Sequence, residues 1–216
     1  AAVVAVDLPL KDIALKKKPS VRERLSVNAS HLQVTGTPKI AGSLYFVRAD
    51  ALRSFWMPLG LLVEDGFVKA MLLTDSFRHP ERSDGIVRAP EATHYFKAVT
   101  GLKDWFSHER RLLNGTALNI LLFSYIQKLD RDGEDPNWVI QENNKRDPFW
   151  VVGLAKAHRA TLPGGLEFMG EPLRRLTRLP TQRKFAFLPS ALLRTGLNIA
   201  VFLACQSDFK LGRLDW

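Results

Sequence analysis

The run Gly60-Leu61-Leu62-Val63-Glu64-Asp65-Gly66 sets the tightest limit on how this chain folds. Three consecutive large apolar residues belong in a core and two adjacent carboxylates do not, so the chain must leave the interior between Val63 and Glu64. One element ends there and another begins. From Phe67 to Thr74 the pattern is helical, with Phe67, Ala70, Met71 and Thr74 on one side. Asp65 fits the N-cap of that helix, where its carboxylate accepts otherwise unpaired amide hydrogens. Carboxylates at the end of an element can also take a proton, orient a hydroxyl or bind a cation, so capping and chemistry both stay open. The helix N-terminus favours an ionised carboxylate. For a base acting on a hydroxyl, placement matters more than intrinsic basicity.

Upstream, Ala1 to Leu10 reads as a short strand ending at Pro9, one that starts as if partway through a larger fold. Lys11, Lys16-Lys17-Lys18, Arg22 and Arg24 follow as a basic run, read as a solvated face or as phosphate or membrane contact. Gly42 precedes the β-rich Leu44-Tyr45-Phe46-Val47, and a short helix is expected over Ala49–Phe55. Asp75 to Asp84 is a polar loop, and Ile86-Val87 and Ala92–Val99 are two short strands. Thr100 can cap a long helix to about Leu129, with Trp105, Phe106, Leu112, Leu113, Leu118 and Leu122 on its core face.

Asp104, His108, Arg111 and Gly115 recur at intervals of four, three and four on that helix and share a largely polar face. Arg111, helped by Arg110 or His108, can neutralise a diphosphate, since a guanidinium bonds two phosphate oxygens and keeps its charge. Solvent exposure and salt bridging is the competing reading. Beyond the helix, residues 130–149 read as an acidic connection broken by Gly133, Pro136 and Pro148. Phe149–His158 is helical in pattern, Pro163-Gly164-Gly165 and Pro172 break the chain, and a last helix starts after Pro189. The apolar stretch Ala186–Cys205 contains Pro189, Arg194 and Asn198 and falls short of a membrane-spanning helix, leaving an interfacial helix open.

The single cysteine, Cys205, excludes a disulfide framework and a four-cysteine metal site, and its apolar neighbours predict a buried, inert thiol. With 31 Lys+Arg against 22 Asp+Glu, the formal charge is +9, which favours an anionic partner: nucleic acid, an acidic membrane surface or a phosphorylated small molecule.

Five words in order, Ala41-Gly42-Ser43-Leu44-Tyr45-Phe46-Val47-Arg48, Val63-Glu64-Asp65-Gly66-Phe67, His108-Glu109-Arg110-Arg111, Gly115-Thr116-Ala117-Leu118-Asn119 and Leu211-Gly212-Arg213-Leu214-Asp215-Trp216, resemble the bacterial family 2 glycosyltransferases, the cellulose-synthase-like group included. The resemblance implies an α/β chain: a partial GT-A-type domain over residues 1–129, holding its acceptor side, then a connecting loop and mainly helical region over 130–216. It implies inverting transfer of a sugar from a nucleotide-diphosphate donor to an acceptor hydroxyl, with Asp65 as base, Glu64 supporting it, and Arg111, then Arg110 and His108, at the donor diphosphate. Gly42 and Tyr45 would lie near the sugars. Processive members carry Gln-x-x-Arg-Trp where this chain has His108-Glu109-Arg110-Arg111-Leu112, which weakens the expectation of polymer synthesis.

The family's Asp-x-Asp metal motif is not matched: Asp7 is isolated, and Asp130-Arg131-Asp132 follows the basic helix, so no metal ligand is assigned. The divalent cation, Mg or Mn, is expected in a full-length parent whose upstream half supplies its main ligands. Implied partners are a nucleotide-sugar donor, a glycan or lipid-linked acceptor, that upstream half and a membrane surface, with no specific nucleic acid. The implied location is the bacterial cytoplasm or the cytoplasmic face of the inner membrane. A non-catalytic binding or scaffold fragment, or a basic binder of nucleic acid or membrane surfaces, are the alternatives.

Overall fold

The structure is a computed structural model that describes residues 2–18, 20, 23, 38, 40, 44–99, 101–157, 162, 164–177 and 180–214. Ala41, Gly42, Ser43, the Thr100 cap, Arg22, Arg24, His158, Pro163, Asp215 and Trp216 from the readings above lie outside them. The fold is mixed α/β, with a small sheet and a majority of helix. It divides into two compact units, residues 1–57 with 64–105 and residues 58–63 with 106–216.

The first unit holds a three-stranded sheet with β1 (Val4–Lys11) in the middle. The antiparallel β2 (Tyr45–Val47) pairs on one side and the parallel β3 (Ile86–Phe96) on the other. Val4 lies between Val47 and Ile86, and in the next row Ala5 lies between Phe46 and Val87. Side chains alternate between faces, so Val4 and Ile86 are buried while Phe46 and Val87 are exposed. The two strands expected over 86–99 are one. Its register slips where Val6 faces Arg88 but Leu8 faces Thr93, so residues 89–92, including Pro90 with no amide hydrogen, stand opposite Asp7.

After the four-residue helix α1 (Ala49–Leu52), α2 (Glu64–Thr74) buries Phe67, Val68, Met71, Leu72 and Leu73, and the Phe67 ring meets Phe55 edge-on at 6.0 Å. The helix starts at Glu64, so Asp65 is in its first turn and is not its N-cap; Asp65 Oδ1 accepts the Gly66 amide at 2.8 Å. The helix stops in a left-handed run, Asp75, Ser76 and Phe77, at φ 49°, 58° and 69°. Each such residue costs roughly 1–2 kcal/mol. The turn is held by the amides of Ser76 to Met71 O, Phe77 to Thr74 Oγ1 and His79 to Thr74 O, at 2.8–2.9 Å.

In the second unit, α3 (Leu102–Arg131) buries Leu113, Ala117, Leu118, Leu122, Ile126 and Leu129. Leu113, Leu118 and Leu122 are in the expected core stripe; Leu112 is only half-buried, as are Trp105 and Phe106 before it. Residues 136–146, read as connection, form α4 (Pro136–Arg146). Asp135 caps it, accepting the Asn137 amide at 2.9 Å, and Pro136 sits at the first position, where its fixed φ suits a helix. Helix α5 (Trp150–Ala157) follows as expected.

Neither Pro172 nor Pro189 breaks its helix: α6 (Gly165–Thr177) and α7 (Thr181–Leu211) run through them. Ser190 Oγ donates to Phe187 O at 2.7 Å beside Pro189, and α7 ends at Gly212, whose φ of 65° is left-handed. Nor do Arg194 and Asn198 interrupt it. Arg194 pairs with Glu109 at 2.8 Å, and Asn198 Nδ2 donates to Phe168 O at 2.8 Å, so the Arg194 charge and the Asn198 amide donor are both engaged within the unit. By length and composition Phe187–Leu211 is long and apolar enough to cross a membrane, contrary to the sequence expectation.

Asn119 Nδ2 donates to Val63 O at 2.8 Å, holding the apolar run 61–63 on α3. A Cβ on Gly115 would lie 2.9 Å from Val63 Cβ and 3.1 Å from Leu62 Cβ, whereas one on Gly153 in α5 would meet nothing within 4 Å. Gly-to-Ala exchanges inside helices normally stabilise by about 1 kcal/mol. Gly153→Ala will show that gain in equilibrium urea unfolding, while overpacking reverses the sign for Gly115→Ala, which loses about 1–3 kcal/mol.

Candidate functional site

Glu64 is exposed and Asp65 half-buried, both on the first turn of α2, while Phe67 one turn on is fully buried and anchors the helix. Tyr45, at the start of β2 and opposite Val6, is half-buried nearby. Its phenol is held above the usual tyrosine range, first by burial and then by the negative charges of Glu64 and Asp65. Three of the residues named from sequence thus lie near enough for the two carboxylate charges to act on the phenol. Gly42 lies outside the described residues.

The basic sequence on α3 divides its labour. Arg110 forks onto Asp208 of α7, with Nε 2.6 Å from Oδ2 and its Nη2 on Oδ1, and Asn114 Nδ2 adds a bond to Oδ2 at 2.9 Å. The bond to Asp208 raises the guanidinium's pKa further, so its charge is permanent. Glu109 takes Arg194. Arg111 is exposed and forms no ion pair among the described residues, and His108 is half-buried. Of the three donor-binding candidates, Arg110 is committed to holding α7, while Arg111 and His108 remain on offer to a ligand.

Two features escaped sequence reasoning. Asp7, which looks isolated in sequence, is buried and hydrogen-bonded to His94 Nδ1. Their meeting depends on the β1–β3 register that places His94 opposite Pro9, and no spacing in the sequence encodes it. His94 Nε2 is buried and, among the described residues, meets no hydrogen-bond partner. Asp208 is the second feature, since nothing near it in sequence announces a buried ion pair. Cys205 is buried as expected; burial, then Asp208, pushes its thiol up to about 12.

Among the described residues no group of three or more His, Cys, Asp or Glu side chains could hold a metal ion, so this donor set does not fit a divalent cation on its own. Compared with protein-family models, curated proteins and solved structures, the chain matches none.

The acidic cluster can be read without any substrate. Among Tyr45, Tyr95 and Tyr125, absorbance titration will show Tyr45 ionising above the ordinary range. In Glu64→Gln/Asp65→Asn that transition moves down but stays raised, because burial is the larger cause. An unchanged titration would separate Tyr45 from the carboxylates.

The Asp208 pair carries a stability prediction. Removing one partner of a fully buried pair costs about 3–5 kcal/mol, and Arg110 is half-exposed, so Arg110→Ala should cost about 2–3 kcal/mol in chemical denaturation. Arg111→Ala, on an exposed side chain, should stay within about 0.5 kcal/mol of wild type.

Proposed function

We propose that the chain carries the acceptor-side machinery of an inverting, GT-A-type glycosyltransferase, transferring a sugar from a nucleotide-diphosphate donor to an acceptor hydroxyl. The observation that carries this reading is the grouping of Glu64, Asp65 and Tyr45, with both carboxylates on the first turn of a helix anchored by Phe67. Asp65 accepts the proton of the acceptor hydroxyl while that oxygen attacks the anomeric carbon. The bond from that carbon to the diphosphate breaks on the opposite side, so the configuration inverts and the leaving group departs with the electron pair. The hydroxyl becomes acidic only as it attacks, so placement of the carboxylate matters more than its resting basicity. Glu64 and Tyr45 orient the acceptor, one accepting and the other donating a hydrogen bond. Arg111, with His108, meets the charge of the diphosphate, for which a guanidinium free of internal carboxylates is suited.

The test is a transfer assay on the intact protein with a panel of nucleotide sugars. Asp65→Asn should lose about 10²–10⁴-fold in kcat with donor binding retained. Arg111→Ala should raise the donor KM about tenfold to a hundredfold, as expected for a lost charged hydrogen bond. Normal turnover in folded Asp65→Asn would remove the base role. Failure of every sugar nucleotide to bind or react would favour a binding or scaffold role.

A further inference from the structure

Helices α6 and α7 pack along each other, with Gly165 against the Phe202 ring, yet much of their apolar surface has no cover. Leu166 is 76% exposed, Phe185 75%, Leu193 68% and Leu203 60%, and only 17% of the most apolar window of α7 is buried. Four consecutive residues from Phe187 to Ser190 are exposed, two of them large and apolar. In sequence, the eleven residues 174–184 that lead into this stretch carry Arg174, Arg175, Arg178, Arg183 and Lys184 and no carboxylate. Arg174 and Arg175 share the single partner Glu171 and leave a net positive charge.

We propose that the α6–α7 pair docks on the surface of an anionic lipid bilayer, with Phe185, Phe187 and the outer leucines seated among the headgroups and Arg174, Arg175 and Lys184 on the lipid phosphates. Apolar insertion and basic charge are each marginal anchors alone and hold firmly together. A nucleic acid would satisfy the cations and leave the leucines in water. Crossing the bilayer is disfavoured because the far half of α7 is not free to leave: Val201, Cys205 and Phe209 are buried, and Asp208 is tied to Arg110 and Asn114 of the strongly polar α3. Docking draws on residues other than those of the proposed transferase chemistry, so either reading can fail alone.

The test is co-sedimentation of the intact protein with phosphatidylcholine vesicles, with and without an equal part of phosphatidylglycerol. Binding is expected to the anionic vesicles and to fall about tenfold or more on neutral vesicles or in high salt. Phe185→Ser/Phe187→Ser and Arg174→Gln/Arg175→Gln should each lose about tenfold, with circular dichroism and unfolding midpoint unchanged. Lys97→Gln/Lys103→Gln, which removes equal charge from exposed residues elsewhere, should bind within about twofold of wild type. Equal loss in that control would mean general electrostatics and would overturn the proposal. Resistance to extraction by alkaline carbonate would mean a spanning helix. Self-association without lipid, abolished by the Phe185/Phe187 variant, would mean that a second copy covers the surface. Equally tight, competing binding of RNA would mean a nucleic-acid site. Each of these three outcomes also overturns the proposal.

Discussion

The carboxylate of Asp208 lies inside the helical unit, 4% exposed, where an unpaired charge would be untenable. Arg110 and Asn114 resolve this by presenting a guanidinium fork and an amide from positions four apart on α3, hence from one face of that helix. Helix α7 can meet both donors in only one rotation about its own axis. That rotation turns Val201, Cys205 and Phe209, four apart in succession, toward the core, and it brings Arg194 to Glu109 further back along the helix. Leu192, Leu193 and Leu203 are then left outside. The buried ion pair thus fixes the direction in which the unit's remaining apolar surface faces.

The same interaction changes the meaning of the His108-Glu109-Arg110-Arg111 sequence. Successive residues of an α-helix point about 100° apart, so four adjacent charged or polar side chains cannot serve one purpose. Glu109 and Arg110 face α7 and neutralise its ionic residues. His108 and Arg111, three apart, share another face. A basic word in sequence becomes two structural ion pairs plus one exposed arginine with a histidine neighbour. Arg111 is the part whose charge faces solvent.

The sequence was most legible where apolar and charged residues meet abruptly. The boundary at Val63–Glu64, the strand at Tyr45–Val47 and the α3 core stripe through Leu113, Leu118 and Leu122 all follow from residues that tolerate only one environment. It was least legible at prolines. Pro136 opens α4, whereas Pro172 and Pro189 lie inside helices, and residue type alone does not separate these cases. At Asp65 the local pattern was right about a helix end and wrong by two residues about the cap. What could not be read at all were pairings set by register or packing: Asp7 with His94 and Arg110 with Asp208, 87 and 98 residues apart.

The distribution of charge links the composition to the exposed α6–α7 pair. The excess of 31 cations over 22 acids says only that an anionic partner is favoured. On α3 Arg110 is taken up by Asp208 and Glu109 by Arg194, whereas the eleven residues from Arg174 to Lys184 hold five cations and none of the acids. Pro189, five residues further on, obeys the same local physics. A proline inside a helix frees the carbonyl four residues earlier, here that of Phe185. In a packed core that oxygen would be an uncompensated polar atom. On a helix turn open to water or to lipid headgroups it has a partner. The proline thus falls on the same open stretch of helix as the exposed rings of Phe185 and Phe187, where its freed carbonyl costs nothing.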